Sequence, residues 1–335
     1  MVCFSVRDAF FGDLSHYSVD YFAYLQKTTK RMQGRNEYWD RERECERQFQ
    51  ASGPFFFITT ENLDWLLYRN REEFKAGTNL VAIAAAISGL VIVGDIQMNN
   101  HHHVMGAGSL SQAQAFREVF REKMRRYQLT RGNKSLKDWN IRIDETVDLK
   151  QFRSRIAYTD RNAYVVRKDS TPTGYPWGSG NLYYNGNLWA MDRGIPWEEV
   201  TVDNRRKICH SHKIDLPGSY RVLDNMILRS SFVNYKCTES LFNSANQYFT
   251  MLSRHGEADV EIAQMLGEGI QLPNEEVFQI VGGWHGGTSL SSLSKADKYS
   301  AAKKMKLRLG SSNKQIVQVL QLPREEVDRL FPIAR

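Results

Sequence analysis

Leu90-Val91-Ile92-Val93-Gly94-Asp95-Ile96-Gln97-Met98-Asn99-Asn100-His101-His102-His103-Val104-Met105 is the stretch on which the fold turns. Leu90 to Met98 reads as a strand, apolar and β-branched. Asn99-Asn100 makes a turn, and His101 to Gly106 a short further strand. Side chains alternate along a strand, so His101 and His103 share one face and His102 takes the other. Two imidazoles on one face of a buried strand can chelate a divalent ion. An isolated His-x-His is more often a surface or satisfied core pair. What singles this one out is its place behind an apolar strand.

Elements on either side fit one order. Phe55-Phe56-Phe57-Ile58-Thr59-Thr60 is a short aromatic strand candidate after Gly53-Pro54. Glu72 to Ile87 reads as a helix that ends near Ser88-Gly89. Ser109 to Leu129 is a long helix with Ala113, Phe116, Val119, Phe120, Met124 and Tyr127 at inner-face spacing. Asp148 to Asn162 is another, with Leu149, Phe152 and Ile156 on one face. The order β-α-β-β-α, with a further strand to close it, is that of a ferredoxin-like α+β domain.

The 335 residues allow two or three domains. With 41% apolar residues, 17 Phe, 15 Tyr and 7 Trp, a proper core can form and global disorder is excluded. A formal net charge of +7 favours polyanionic partners. The start carries no signal-peptide pattern, and the longest apolar tract, Leu80 to Val93, is too short to span a bilayer. Cys3, Cys45, Cys209 and Cys237 form no CxxC pair and read as free thiols of a reducing cytoplasm.

Met98-Asn99-Asn100-His101-His102-His103-Val104-Met105 resembles the strand–turn–strand signature of single-tyrosine HUH transposases, in particular the REP-associated tyrosine transposases. Asn99 stands where that signature has proline, and His102 where it has a hydrophobic residue. Tyr158-Thr159-Asp160-Arg161-Asn162 resembles the family's Tyr-x-x-x-Asn helix, with Ala163 where proline commonly follows. Tyr164-Val165-Val166 and Tyr175-Pro176-Trp177-Gly178-Ser179 resemble its closing segment. The likeness spans roughly residues 54–185.

That resemblance implies metal-dependent nicking and joining of single-stranded DNA at hairpin-bearing element ends. Tyr158 would be the nucleophile and would form a 5′-phosphotyrosine. Positions i and i+4 share a helix face, so Asn162 would join His101 and His103 around Mg²⁺ or Mn²⁺. Tyr127 is the runner-up nucleophile, lacking Asn or Gln four residues on. A homodimer is carried over from the relatives. Two other readings stay open: a domesticated DNA-binding regulator, and an unrelated metal-dependent hydrolase using the same histidines. A rival His-x-His with a thiol, Cys209-His210-Ser211-His212, has no second ligand pair at zinc spacing.

Basic residues could hold the DNA backbone: Arg117, Arg121, Lys123, Arg125 and Arg126 on the long helix, and Arg153, Arg155 and Arg161 beside Tyr158. Tyr175 and Trp177 could stack on bases or only pack a turn. Residues 1–53 read as a charged helical extension and 186–290 as a helical accessory region, and the resemblance implies that 54–185 would be the nuclease domain. Leu272-Pro273-Asn274-Glu275-Glu276-Val277 resembles Leu322-Pro323-Arg324-Glu325-Glu326-Val327, and each follows a periodic helix, Val260 to Leu266 and Lys314 to Leu320. Residues 291–335 read as a helix-turn-helix: a helix Ala296 to Leu309 with Lys298, Lys303, Lys304, Lys306 and Arg308, then two short helices capped at Ser312 and opened by Pro323. This division leaves the terminal segment as a DNA grip separate from the chemistry.

Overall fold

A computed structural model describes residues 34, 36–133, 136–166, 171, 173–188, 193–211, 216–253 and 272–332, with side chains of 163–166 excepted. The first 33 residues and the Val260 to Leu266 helix lie outside the described residues.

The expected α+β order is seen, with a four-stranded antiparallel sheet. Strands β1 (Phe55–Thr60), β2 (Val91–Gln97), β3 (His102–Ala107) and β4 (Ile141–Thr146) lie in the order β2-β3-β1-β4. The closing strand is thus Ile141–Thr146. Helix α1 covers residues 36–52, α2 Arg71–Ser88, α3 Leu110–Thr130 and α4 Leu149–Val166.

Local signals set the helix ends. Asn70 caps α2 by accepting from the Glu73 amide, and Gly89 ends it in the left-handed region at φ 70°. Ser109 and Gln112 form a reciprocal capping box on α3.

The sheet is buried on both faces. Phe56, Ile58, Ile92 and Val104 meet α2 and α3 on one side. Phe55, Phe57, Val93 and Met105 meet Leu149, Phe152 and Ile156 of α4 and Cys45 and Phe49 of α1 on the other. Gly94, at a bulge in β2, lets α4 close on the sheet. A Cβ there would stand 2.9 Å from both Ile156 Cδ1 and the Tyr183 hydroxyl.

Packing does not pause at residue 185. Trp197, Val200, Ile208, Tyr220, Val222 and Phe232 belong to the α2–α3 core, and Leu241, Phe242, Tyr248 and Leu252 to the α4 core. Val233 bridges Ile92 at the sheet edge, and the Asn234 amide donates to the Ile92 carbonyl (2.7 Å). This region also holds a small three-stranded sheet of Ile195–Pro196, Arg221–Leu223 and Met226–Ile227 among its helices, where sequence periodicity suggested helices alone.

Residues 272–331 form a third core, in helices Asn274–Trp284, Lys295–Leu309, Asn313–Leu320 and Arg324–Leu330. The two Leu-Pro segments behave alike: Pro273 and Pro323 precede their helices, and Val277 and Val327 are fully buried in that core. Leu66, from the loop after β1, is part of the same cluster.

Candidate functional site

His101 and His103 stand together on the α4 side of the sheet, with ring centroids 4.9 Å apart. His102 points to the opposite side, where its Nε2 meets the Tyr68 hydroxyl and its ring packs on Phe120 at 5.0 Å. The hydrogen-bonding partner explains how an imidazole occupies a position that would otherwise suit an apolar side chain. Asn99, in the turn, accepts from the Leu67 (2.7 Å) and Tyr68 (3.1 Å) amides, so the turn is fixed without a proline.

The tautomers follow from the neighbours. Asn100 donates its amide nitrogen to the Leu63 carbonyl (2.8 Å), which turns its oxygen toward His101 Nδ1 at 2.9 Å. His101 Nδ1 therefore carries the proton and Nε2 the lone pair. His103 Nδ1 faces Thr59 Oγ1 at 3.4 Å across the strand pair, and its buried Nε2 has no partner. Burial holds both imidazoles neutral, His101 with a pKa lowered to about 4 and His103 to about 3. Neutral rings with one nitrogen oriented by a hydrogen bond and the other open are the state that binds a metal.

Helix α4 brings Tyr158 to this pair. Its ring stands edge-on to His103 at 5.3 Å and to Phe57 at 6.4 Å, and it is 41% exposed. Arg161 lies over the Tyr158 ring at 5.5 Å. Asn162, one turn on, donates its amide nitrogen to the Tyr158 carbonyl (2.8 Å), which leaves Oδ1 as the end for a cation. Among the described residues no hydrogen bond joins Asn162 to either imidazole. Tyr127 is elsewhere: it packs on His210 at 5.3 Å, and burial pushes its hydroxyl up to about 12. The rival Cys209-His210 pair has a buried thiol and a histidine in a left-handed cap, and His212 lies outside the described residues. Among the described residues no three His, Cys, Asp or Glu side chains gather as a metal cluster.

The basic residues divide into two groups. Arg121 pairs with Glu118, and Arg125 and Arg126 with Glu122 at 2.8 and 2.6 Å, so α3 shows a face of mixed charge. Arg155 donates to the Asp144 and Glu145 carbonyls and to Thr146 Oγ1. The expectation of Arg153 as a DNA contact is corrected. It is 5% exposed and donates to the Leu241 carbonyl and Glu42 (both 2.6 Å), so it ties α4 to α1. Tyr175 is buried with its hydroxyl on the Gln97 carbonyl, and Trp177 stacks on Phe74 at 4.8 Å, so both pack the turn. In the terminal segment Lys304 lies over Trp284 and Lys306 over Phe331, while Lys303 is exposed.

Residues with no sequence signal of their own support the site. Thr59 and Phe57 flank His103 from β1, and Asn100 orients His101. Asn100 had one available clue, its position next to the first histidine in a turn.

Fold and side chains together define an α+β protein with a histidine pair on one sheet face and a tyrosine-bearing helix across it. No protein-family model matches the chain, and no curated protein matches it. Among solved structures it is similar to a REP-associated tyrosine transposase bound to a REP hairpin, at 13% identity and a TM-score of 0.31, over 52% of this chain and 94% of that one. At that level of similarity the chain's own geometry has to carry a function. Among the described residues no helix is long and apolar enough to cross a membrane.

Proposed function

We propose that this protein is a metal-dependent HUH-type endonuclease that nicks and rejoins single-stranded DNA through a 5′-phosphotyrosine, at hairpin-bearing element ends. The observation that carries the reading is the edge-on placement of Tyr158 against His103, beside a second neutral imidazole. His101 and His103 would hold Mg²⁺ or Mn²⁺ through Nε2, with Asn162 Oδ1 as third ligand; the orphaned Nε2 of His103 fits that role. Such an ion supplies Lewis-acid polarisation of a phosphate oxygen.

The side chains supply the rest. The Tyr158 hydroxyl gives its proton to solvent and its oxygen attacks phosphorus. The bond from phosphorus to the 3′ oxygen breaks, and that oxygen leaves as a hydroxyl after taking a proton from water. The tyrosyl ester keeps the bond energy, so a second 3′-hydroxyl can reverse the step. Arg161, which lies over the Tyr158 ring, would contact the DNA backbone near the nick. The basic helix with Lys303, Lys304 and Lys306 would grip a duplex stem in the manner of a helix-turn-helix.

The test is incubation with a single-stranded hairpin oligonucleotide and Mn²⁺, followed by a denaturing gel for protein-linked DNA. Wild type should give the adduct. Tyr158→Phe should give none while binding the DNA within a few-fold. Cleavage without an adduct would make the protein a metal-dependent hydrolase instead.

A further inference from the structure

The turn that leads into the histidine pair is closed by the Met98 amide, which donates to the His101 carbonyl (2.9 Å). Its central residues are Asn99 and Asn100. Neither has a ring to fix its φ, so the turn takes its shape from what these two residues reach. Leu63 holds Asn100 twice: its carbonyl accepts from Asn100 Nδ2 (2.8 Å) and its amide donates to the Asn100 carbonyl (3.2 Å). That leaves Asn100 Oδ1 facing His101 Nδ1 at 2.9 Å. Asn99 is held from two directions. Its Nδ2 donates to the Tyr68 carbonyl at 3.3 Å and to Glu275 Oε2 at 2.8 Å. The shorter of the two bonds thus comes from 176 residues along the chain.

Glu275 is the second residue of helix Asn274–Trp284 and is half-buried, while its neighbour Glu276 is exposed. The helix is braced from behind. Asn274 donates to Gln318 (2.8 Å) and accepts from Gln315 (3.0 Å), which also donates to the Leu272 carbonyl (2.7 Å), and Val277 is fully buried in the C-terminal core. Two further contacts hold the same junction: Phe278 lies under Arg69 at 5.8 Å, and Leu66 is packed in the C-terminal core. The carboxylate that meets Asn99 therefore stands on a fixed post.

We infer that Glu275 is a positioning residue: acting through Asn99, it holds the turn so that Asn100 keeps the His101 ring aimed at the cation. Asn99 and Asn100 share a rigid peptide plane, so a swing of the first is passed to the second and on to His101. His103 is seated separately, on Thr59 of the neighbouring strand, and feels the turn less. The inference rests on the metal-site reading above for its consequence, and on the Asn99–Glu275 bond for its contact.

The experiment uses the full chain with histidine labelled for NMR. The ring resonances of His101, His102 and His103 are read without metal, and Mn²⁺ affinity is then titrated. Glu275→Ala should shift and broaden the His101 ring signals, leave those of His103 in place, and weaken Mn²⁺ binding roughly three- to tenfold, less than the loss of about 10–100-fold for a group bonded directly to a ligand. Glu275→Gln keeps an accepting oxygen and should restore both readings. Asn99→Ala breaks the same bond from the side of the turn and should reproduce the His101 change, so the test does not depend on one variant folding. Combining Asn99→Ala with Glu275→Ala should cost little beyond either alone, because the two act as one unit. Wild-type His101 signals and Mn²⁺ affinity in Glu275→Ala overturn the inference and leave the metal-site reading in place. Equal changes at all three histidines also overturn it, since they report a general loosening. A wild-type chain that binds no Mn²⁺, yet shows the His101 change in Glu275→Ala, overturns the metal-site reading and keeps Glu275 as the support of that ring.

Discussion

Asp95 and Arg229 form a buried ion pair between β2 and a helix 134 residues later, the guanidinium Nε lying 3.1 Å from both carboxylate oxygens. The two side chains are 0% and 5% exposed. Arg229 also donates to the Trp177 carbonyl (3.1 Å), and the Asp95 backbone bonds Ser179 (amide to Oγ 2.9 Å, carbonyl from amide 2.8 Å). One pair thus joins the central sheet, the 175–180 turn and the region beyond residue 195.

Asp95→Asn should destabilise the protein by about 3–5 kcal/mol in urea unfolding, because it leaves the guanidinium buried without its counter-charge. The double variant Asp95→Leu, Arg229→Met should lose less than Asp95→Asn. A loss below 1 kcal/mol in the single variant would mean that water reaches the pair.

The three histidines should separate by readout. His101→Ala and His103→Ala should abolish Mn²⁺ binding in titration. His102→Leu should bind Mn²⁺ within about two-fold but cost about 1–3 kcal/mol of stability, since the buried Tyr68 hydroxyl keeps only its long contact to Met124 Sδ (3.9 Å). Equal loss of metal binding at all three positions would contradict the strand geometry.

Metal affinity should also ignore mild acid. An exposed imidazole pair protonates near pH 6.5 and releases its ion. Here the rings are held to about 4 and about 3, so Mn²⁺ affinity should stay level from pH 8 to about 5 and fall only below that. The same depression has a stability consequence of definite sign. The unfolded chain takes up protons below 6.5 while the folded rings refuse them, so acidification from there toward 4 favours unfolding. A tenfold drop in affinity between pH 7 and 5.5 would show that the rings titrate as exposed groups do.

Asp160 should give the opposite slope. It is fully buried on α4, accepts from the Tyr248 hydroxyl at 2.9 Å, and burial pushes its pKa from 3.8 up to about 8. The folded chain keeps a proton that the unfolded chain gives up above about pH 4, so this contribution is fully present below that and is lost as pH rises toward 8. Asp160→Asn has no charge to desolvate. Its stability relative to wild type should rise by up to about 1.4 kcal/mol per pH unit across that window. A difference that does not change between pH 5 and 8 would remove Asp160 from this role.

The local half of the structure was legible. Strand alternation placed the histidines, and caps at Ser109 and Gly89 bounded the long helices. Strand β4 gave little signal because Ile141–Thr146 buries only its two ends and carries charge between them. The two- and three-residue strands after 195 are too short for any period to show. Arg153 misled because its partners, Glu42 and Leu241, lie 111 and 88 residues away, and nothing in its own helix announces them. The pairing of Arg121, Arg125 and Arg126 was readable, since Glu118 and Glu122 sit at helical spacing.

The contact between the turn and the C-terminal helices has a bearing on biosynthesis. Asn99 and Glu275 are 176 residues apart, so the histidine-bearing turn leaves the ribosome long before its outer clasp exists. The hairpin of β2 and β3 can form early, from neighbours in the chain. The last support of the turn arrives only when the C-terminal helices have been made and docked. A chain still in translation therefore carries its two imidazoles without the clasp, and a chain cut short before Glu275 never acquires it. The turn has its full set of contacts only once the segment around Glu275 has been made and has docked.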